Sequence, residues 1–134
     1  LDNGPSSSFF YQNEFLQLQN MTLGAEFTLS HWVRFDSTAH TGGHVAASFS
    51  AGRDGTGEVF RAVVLQDGSV GSTISSNGTG AGTGYTSIND NEFHHVATVV
   101  AAGVISHYVD GSLTDSASFT DSVKVAKRQL SIER

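Results

Sequence analysis

Trp32 and Arg34 stand two residues apart in FTLSHWVRFD, where apolar and polar side chains alternate. On a strand that spacing puts an indole and a guanidinium on one face, with Phe27, Leu29, His31, Val33 and Phe35 on the other. An aromatic ring stacks on the C–H face of a sugar while Arg and His reach its hydroxyls, so the pairing suits carbohydrate recognition. Arg61, His107 and Tyr108 lie on further predicted strands and are candidates for the same surface, the face of each depending on bulges. The competing reading is a buried Trp32, since the one tryptophan of a small domain commonly anchors its core.

Catalysis finds less support. Cleaving a glycosidic bond takes two carboxyls facing one sugar. No E-x-D or D-x-x-E pair falls on a predicted strand; Glu26, Glu92 and Asp110 sit at strand ends or turns. There is no cysteine nucleophile and no G-x-S-x-G elbow. The expectation is therefore a protein that is not an enzyme. His94 and His95 are adjacent and point to opposite faces of a strand, so they cannot share a metal ion. His40 and His44 flank Thr41-Gly42-Gly43 and could approach each other, but no third ligand is evident.

Calcium is the one cofactor the loops suggest, because a hard cation takes oxygens from carboxylates, amides and carbonyls. Asp54 and Glu58 in GRDGTGE supply two carboxylates, and Ser76-Asn77 or Asn89-Asp90-Asn91 could add to them. No complete D-x-D-x-D-G loop is present, and the same residues serve equally as ordinary turns. Asp110, before Gly111, is assigned to a hairpin turn. Asn20-Met21-Thr22 and Asn77-Gly78-Thr79 are glycosylation sequons, pointing to Asn20 and Asn77.

These side chains need a scaffold, and composition says which kind. The chain has 134 residues, a length of one domain, with 15 Gly, 18 Ser and 12 Thr, while strong helix formers are scarce. Period-two segments recur: 9–20, 26–36, 44–52, 58–68, 69–75, 93–103, 104–113 and 129–133. Asp67-Gly68 and Asp110-Gly111 separate some of them as hairpin turns. SNGTGAGTG, residues 76–84, reads as an irregular low-complexity loop. Charge is lopsided. The formal net charge is −6, yet Lys124, Lys127, Arg128 and Arg134 cluster near the C-terminus. So few basic groups on an acidic chain argue against nucleic acid as a partner. No apolar run approaches the length of a membrane-spanning helix, and no secretory leader pattern is present, so the expectation is that either no leader existed or it has been removed. The pattern predicts an all-β antiparallel sandwich with near-nil helix.

FTLSHWVRFD, FHHVATVV, VISHYVDGSL and LSIER, in that order and roughly that spacing, resemble the laminin-G-like and pentraxin-like branch of the concanavalin A-like jelly rolls. Phe93 stands where that branch usually has Trp, and Glu133 stands near its expected final Gly. The resemblance implies one laminin-G-like domain over 1–134, with calcium often at the sandwich rim, and a histidine in the FHHVATVV strand that packs and hydrogen-bonds. It also implies a further closing strand after QLSIE, which this sequence does not contain. Three explanations stand open: the chain is a fragment, the FFYQNEF segment pairs differently, or another chain supplies the strand as a neighbour or in a homo-oligomer. Two functional expectations follow. One is a non-catalytic, extracellular or surface-exposed module for binding and adhesion, recognising glycans or partner proteins. The other is a structural unit of an ordered assembly such as a filament, virion or appendage.

Overall fold

The computed structural model describes residues 15–18, 24–36, 45–51, 59–76, 79–119 and 130–133, and among these every regular element is a strand. In chain order they are β1 (Phe15–Leu18), β2 (Phe27–Arg34), β3 (Val45–Ala51), β4 (Val59–Leu65), β5 (Ser69–Ser76), β6 (Thr79–Gly82), β7 (Thr86–Ser87), β8 (Phe93–Ala101), β9 (Val104–Val109), β10 (Ser112–Ser118) and β11 (Leu130–Glu133). One sheet runs β1-β11-β3-β4-β5, and β6 and β7 share the far edge of β5; the other runs β10-β9-β8-β2. All pairings are antiparallel. The segment around Phe15 pairs with β11, opposite Glu133, and lies at the edge of its sheet.

Alternation decides which side chains enter the space between the sheets. Phe60, Ala62, Ile74, Val100 and Ile105 form one buried cluster, with Phe27 and Leu29 packed against it. Phe35, Val64, Val70, Ile88 and Val96 form a second, with Val33 and Val109 beside it. Four polar residues separate them along their strands. His31 lies between Leu29 and Val33, Ser72 between Val70 and Ile74, Thr98 between Val96 and Val100, and His107 between Ile105 and Val109. Ser72, Thr98 and His107 are fully buried and bonded to one another across the sandwich. The interior is thus two apolar halves with a polar layer between them.

The turns follow residue type. Asp110 (φ 50°) and Gly111 (φ 80°) are both left-handed, as are Ala102 (φ 49°) and Gly103 (φ 74°), the pattern whose twist matches flanking strands. At Asp67-Gly68 only Gly68 is left-handed (φ 75°); its N–H donates to the Leu65 carbonyl at 3.0 Å, and Asp67 Oδ1 accepts the Ser69 N–H at 2.9 Å.

The expected loop at 76–84 needs correction. Residues 79–82 are strand β6, paired with Thr73–Ser76. Gly80 is a steric requirement there, since a Cβ on it would stand 2.7 Å from the Ser75 Cβ. Small side chains let this strand lie close to β5, where composition alone reads an irregular loop.

Candidate functional site

Among the described residues, Trp32, Phe93 and Leu113 are large apolar side chains left exposed on the outer face of the four-stranded sheet. On β2 the pattern alternates strictly, with Thr28, Ser30, Trp32 and Arg34 exposed. Trp32 is therefore on the surface, 67% exposed, and the core-anchor reading is set aside. The register with β8 places Trp32 opposite His95 and Arg34 opposite Phe93. The Trp32 and His95 rings lie 5.3 Å apart and tilted by 57°. The Arg34 Cζ sits 5.5 Å from the centre of the Phe93 ring, within cation–π range, and Phe93 is itself 63% exposed.

Tyr108 shares this face. It pairs with Ala97 on one side and with the exposed Leu113 on the other, and directly opposed residues point the same way. Two strand spacings, about 10 Å, separate β2 from β9, so an extended ligand could touch both Trp32 and Tyr108.

Two sequence candidates fall elsewhere. His107 precedes Tyr108 and must point inward. It is completely buried, with its Nδ1 3.1 Å from Ser72 Oγ, and cannot meet a ligand on the outer face. Burial also holds its proton affinity below that of an ordinary histidine. Arg61 is exposed, but on β4 of the other sheet, opposite Thr73, so it belongs to a different surface. There Tyr85 covers Gly71, whose missing Cβ would lie 2.7 Å from the Tyr85 ring. His95 and Phe93, a strand histidine and a motif position in the sequence, are not among the sequence candidates for this surface. The signal for them was their cross-strand register with Trp32 and Arg34, which requires knowing that β2 and β8 are neighbours.

Beside the face, at one end of the sandwich, His94 lies between two acids. Its Nδ1 is 2.7 Å from Asp110 Oδ2 and its Nε2 2.9 Å from Asp90 Oδ1. Asp90, and then Asp110, raise the proton affinity of the ring. His94 in turn holds both carboxyls below the ordinary aspartate range, helped by the Glu92 N–H at Asp90 and the His95 N–H at Asp110. Asp110 is thus in the hairpin turn, as read from sequence. Asn89-Asp90-Asn91 is also a turn, with the Asp90 carboxylate committed to His94.

Among the described residues no group of three or more His, Cys, Asp or Glu could hold a metal ion. Asp54 and Glu58, the calcium candidates, and the sequon residues Asn20 and Asn77 lie outside the described residues, as do His40 and His44. Elsewhere carboxylates are engaged in backbone hydrogen bonds: Glu26 accepts from Ala102 N–H at 3.2 Å, and Asp115 from Gly84 N–H. Hydrogen bonding keeps Asp67 and Asp115, like Asp90 and Asp110, below the usual carboxylate range.

A family model described as concanavalin A-like lectin/glucanases superfamily (Laminin_G_3) matches residues 11–133. No match was found among curated proteins. Among solved structures, a carbohydrate binding module, CBM66, from Bacillus subtilis is similar with a TM-score of 0.54 and 19% identity, over 83% of this chain and 68% of that one. The Caenorhabditis elegans galectin LEC-6 gives a TM-score of 0.53 and 15% identity, over 91% and 83%. Sheep galectin-11, in complex with glycerol, gives 0.54 and 11%, over 90% and 87%. At these identities the likeness is one of fold.

Proposed function

This chain belongs to the concanavalin A-like lectin/glucanases superfamily, and from that membership we propose that it is a non-catalytic module that binds glycans on the outer face of its four-stranded sheet. The observation that carries the reading is Trp32, 67% exposed on a strand, with the His95 ring beside it. A large indole left in water on a regular sheet face is available to stack on a sugar ring. Arg34, steadied over Phe93, offers hydroxyl-seeking donors next to it, and Tyr108 extends the face. The carbohydrate binding module and the galectins that share the fold are in keeping with this use.

A non-catalytic role fits the carboxylates. A glycosidase acid needs a raised proton affinity, whereas Asp67, Asp90, Asp110 and Asp115 are all shifted the other way by hydrogen bonds. An extracellular or surface-exposed setting, where glycans are displayed, is part of the same proposal.

A glycan array probed with the wild-type protein, Trp32→Ala and Arg61→Ala tests it. The expected result is a small set of bound oligosaccharides, lost in Trp32→Ala and retained in Arg61→Ala. An array with no binding, or undiminished binding by Trp32→Ala, overturns the assignment.

A further inference from the structure

We infer that His94 is the positioning residue of the exposed face: as an imidazolium bridging Asp90 and Asp110, it fixes the start of β8 where Phe93 and His95 meet Arg34 and Trp32. The role rests on reading that face as the binding surface.

The geometry requires the charged ring. Both ring nitrogens of His94 stand at hydrogen-bond distance from a carboxylate, 2.7 Å to Asp110 and 2.9 Å to Asp90. An ionised carboxylate only accepts, and a neutral imidazole carries one N–H, so only the doubly protonated ring satisfies both contacts. Such charge-assisted hydrogen bonds are about twice as strong as neutral ones.

The two acids are themselves anchored. Asp110 Oδ1 accepts the His95 N–H at 2.9 Å while the Asp110 N–H donates to the His95 carbonyl at 2.8 Å. Asp90 Oδ1 accepts the Glu92 N–H at 3.0 Å. His94 therefore joins the turn that enters β8 to the turn that leaves β9. It pairs across β2 with Val33, between the Trp32–His95 and Arg34–Phe93 pairs. Holding its ring holds the backbone that aims its two outward neighbours.

Charged and titratable residues flank His94 in sequence or register on each adjoining element: Asp90 and Glu92 in the preceding turn, His95 on β8, Arg34 on β2 with Asp36 just beyond it, and Asp110 in the β9–β10 turn. The two aspartates are the ones in contact, and they favour the charged ring. As pH rises past the elevated His94 value, one N–H is lost. A ring lone pair then faces a carboxylate, and the bridge opens on that side.

The test is a nitrogen–proton NMR titration of the imidazole in labelled protein, with amide exchange recorded in parallel for the wild type and Asp90→Asn. The expected result is a His94 ring with both nitrogens protonated at neutral pH and a titration moved to lower pH in Asp90→Asn. Protection of the His95 amide should drop roughly tenfold above the ring's titration. Asp90→Asn keeps the Asp110 contacts to His95, so it remains informative where His94→Gln fails to fold. A singly protonated ring at neutral pH overturns the inference, as does His95 protection that is flat through the titration. No ligand enters the measurement, so its failure leaves the array result standing, and an array without binding leaves the clamp result standing.

Discussion

Ser72 on one sheet and His107 on the other meet across the interior, with Ser72 Oγ 3.1 Å from His107 Nδ1, and neither side chain reaches solvent. Thr98 Oγ1 completes the group through a short hydrogen bond to Ser72. The His107 Nε2 has no hydrogen-bond partner among the described residues. Donation from Nδ1–H to Ser72 leaves that nitrogen as a bare acceptor, less costly than a buried, unpaired N–H.

Removing a member of this group should expose how far it ties the sheets together. Ser72→Ala leaves the His107 Nδ1 with only the long 3.4 Å contact to Thr98 and is expected to cost about 1–3 kcal/mol. Thr98→Val keeps the volume and the Ser72–His107 link, so it should cost less. Urea unfolding of both variants gives the order, and an equal or reversed order would show that the Ser72–His107 link is not the stronger tie.

Acid should weaken the fold through the inward histidines. Burial, then His107, then His95 bring His31 down from 6.5 to about 4, and burial lowers His107 as well. Both rings are neutral in the folded chain yet protonate near 6.5 when unfolded. Their stabilisation is therefore complete above about pH 6.5 and drains away as pH falls toward 4. For His31 the loss is at most about 3 kcal/mol before its partial access to solvent screens it. His94 has the opposite sign, its contribution being whole below about 6.5 and lost as pH rises through its elevated value. Urea midpoints measured across this range should decline on the acid side, with a shallower decline in His31→Gln. A flat acid limb would contradict the burial of these rings.

Arg34 should serve the proposed ligand and contribute little to stability. It is exposed and its contact with Phe93 is a surface one, so Arg34→Ala is expected to change unfolding by no more than about 0.5 kcal/mol. Affinity for an array-positive oligosaccharide should fall several-fold, by about 1 kcal/mol or more. Isothermal titration against the wild type checks it. Unchanged affinity would move the polar contacts away from β2.

Gly68 and Gly111 separate strain from crowding. Both are left-handed, at φ 75° and 80°. A Cβ on Gly68 would stand 2.7 Å from Phe35 Cδ1 and 2.8 Å from Asn89 Cβ, whereas one on Gly111 meets nothing within 4 Å. Gly111→Ala should cost about 1 kcal/mol from backbone strain alone, and Gly68→Ala clearly more. Thermal melts of the two variants give the difference, which would vanish if the Phe35 ring moves aside freely.

Alternation along β2 is legible in the sequence, and it places Trp32 and Arg34 on one side with Phe27, Leu29, Val33 and Phe35 on the other. Which side faces outward is not, because an indole fits a core as well as a surface. VISHYV is apolar on both faces, so nothing in it announces that His107 is inside and Tyr108 outside. Residue type alone groups Arg61 with Trp32 although the two lie on different sheets; strand membership arises from long-range pairing, which residue type does not encode. The sequence does not announce β6, because glycine and threonine carry no apolar rhythm. Its evidence is a steric fit to β5. The Asp90–His94–Asp110 bridge needs two turns brought together by β8 and β9, and only their register reveals it.

The one tryptophan of this chain lies on the surface, 67% exposed. Its fluorescence in the native state should therefore already resemble that of an indole in water, and denaturation should shift the emission maximum little. The usual optical reporter of unfolding would be nearly silent here. The same emission should respond strongly to whatever covers Trp32, making the native protein a label-free sensor for its own ligand.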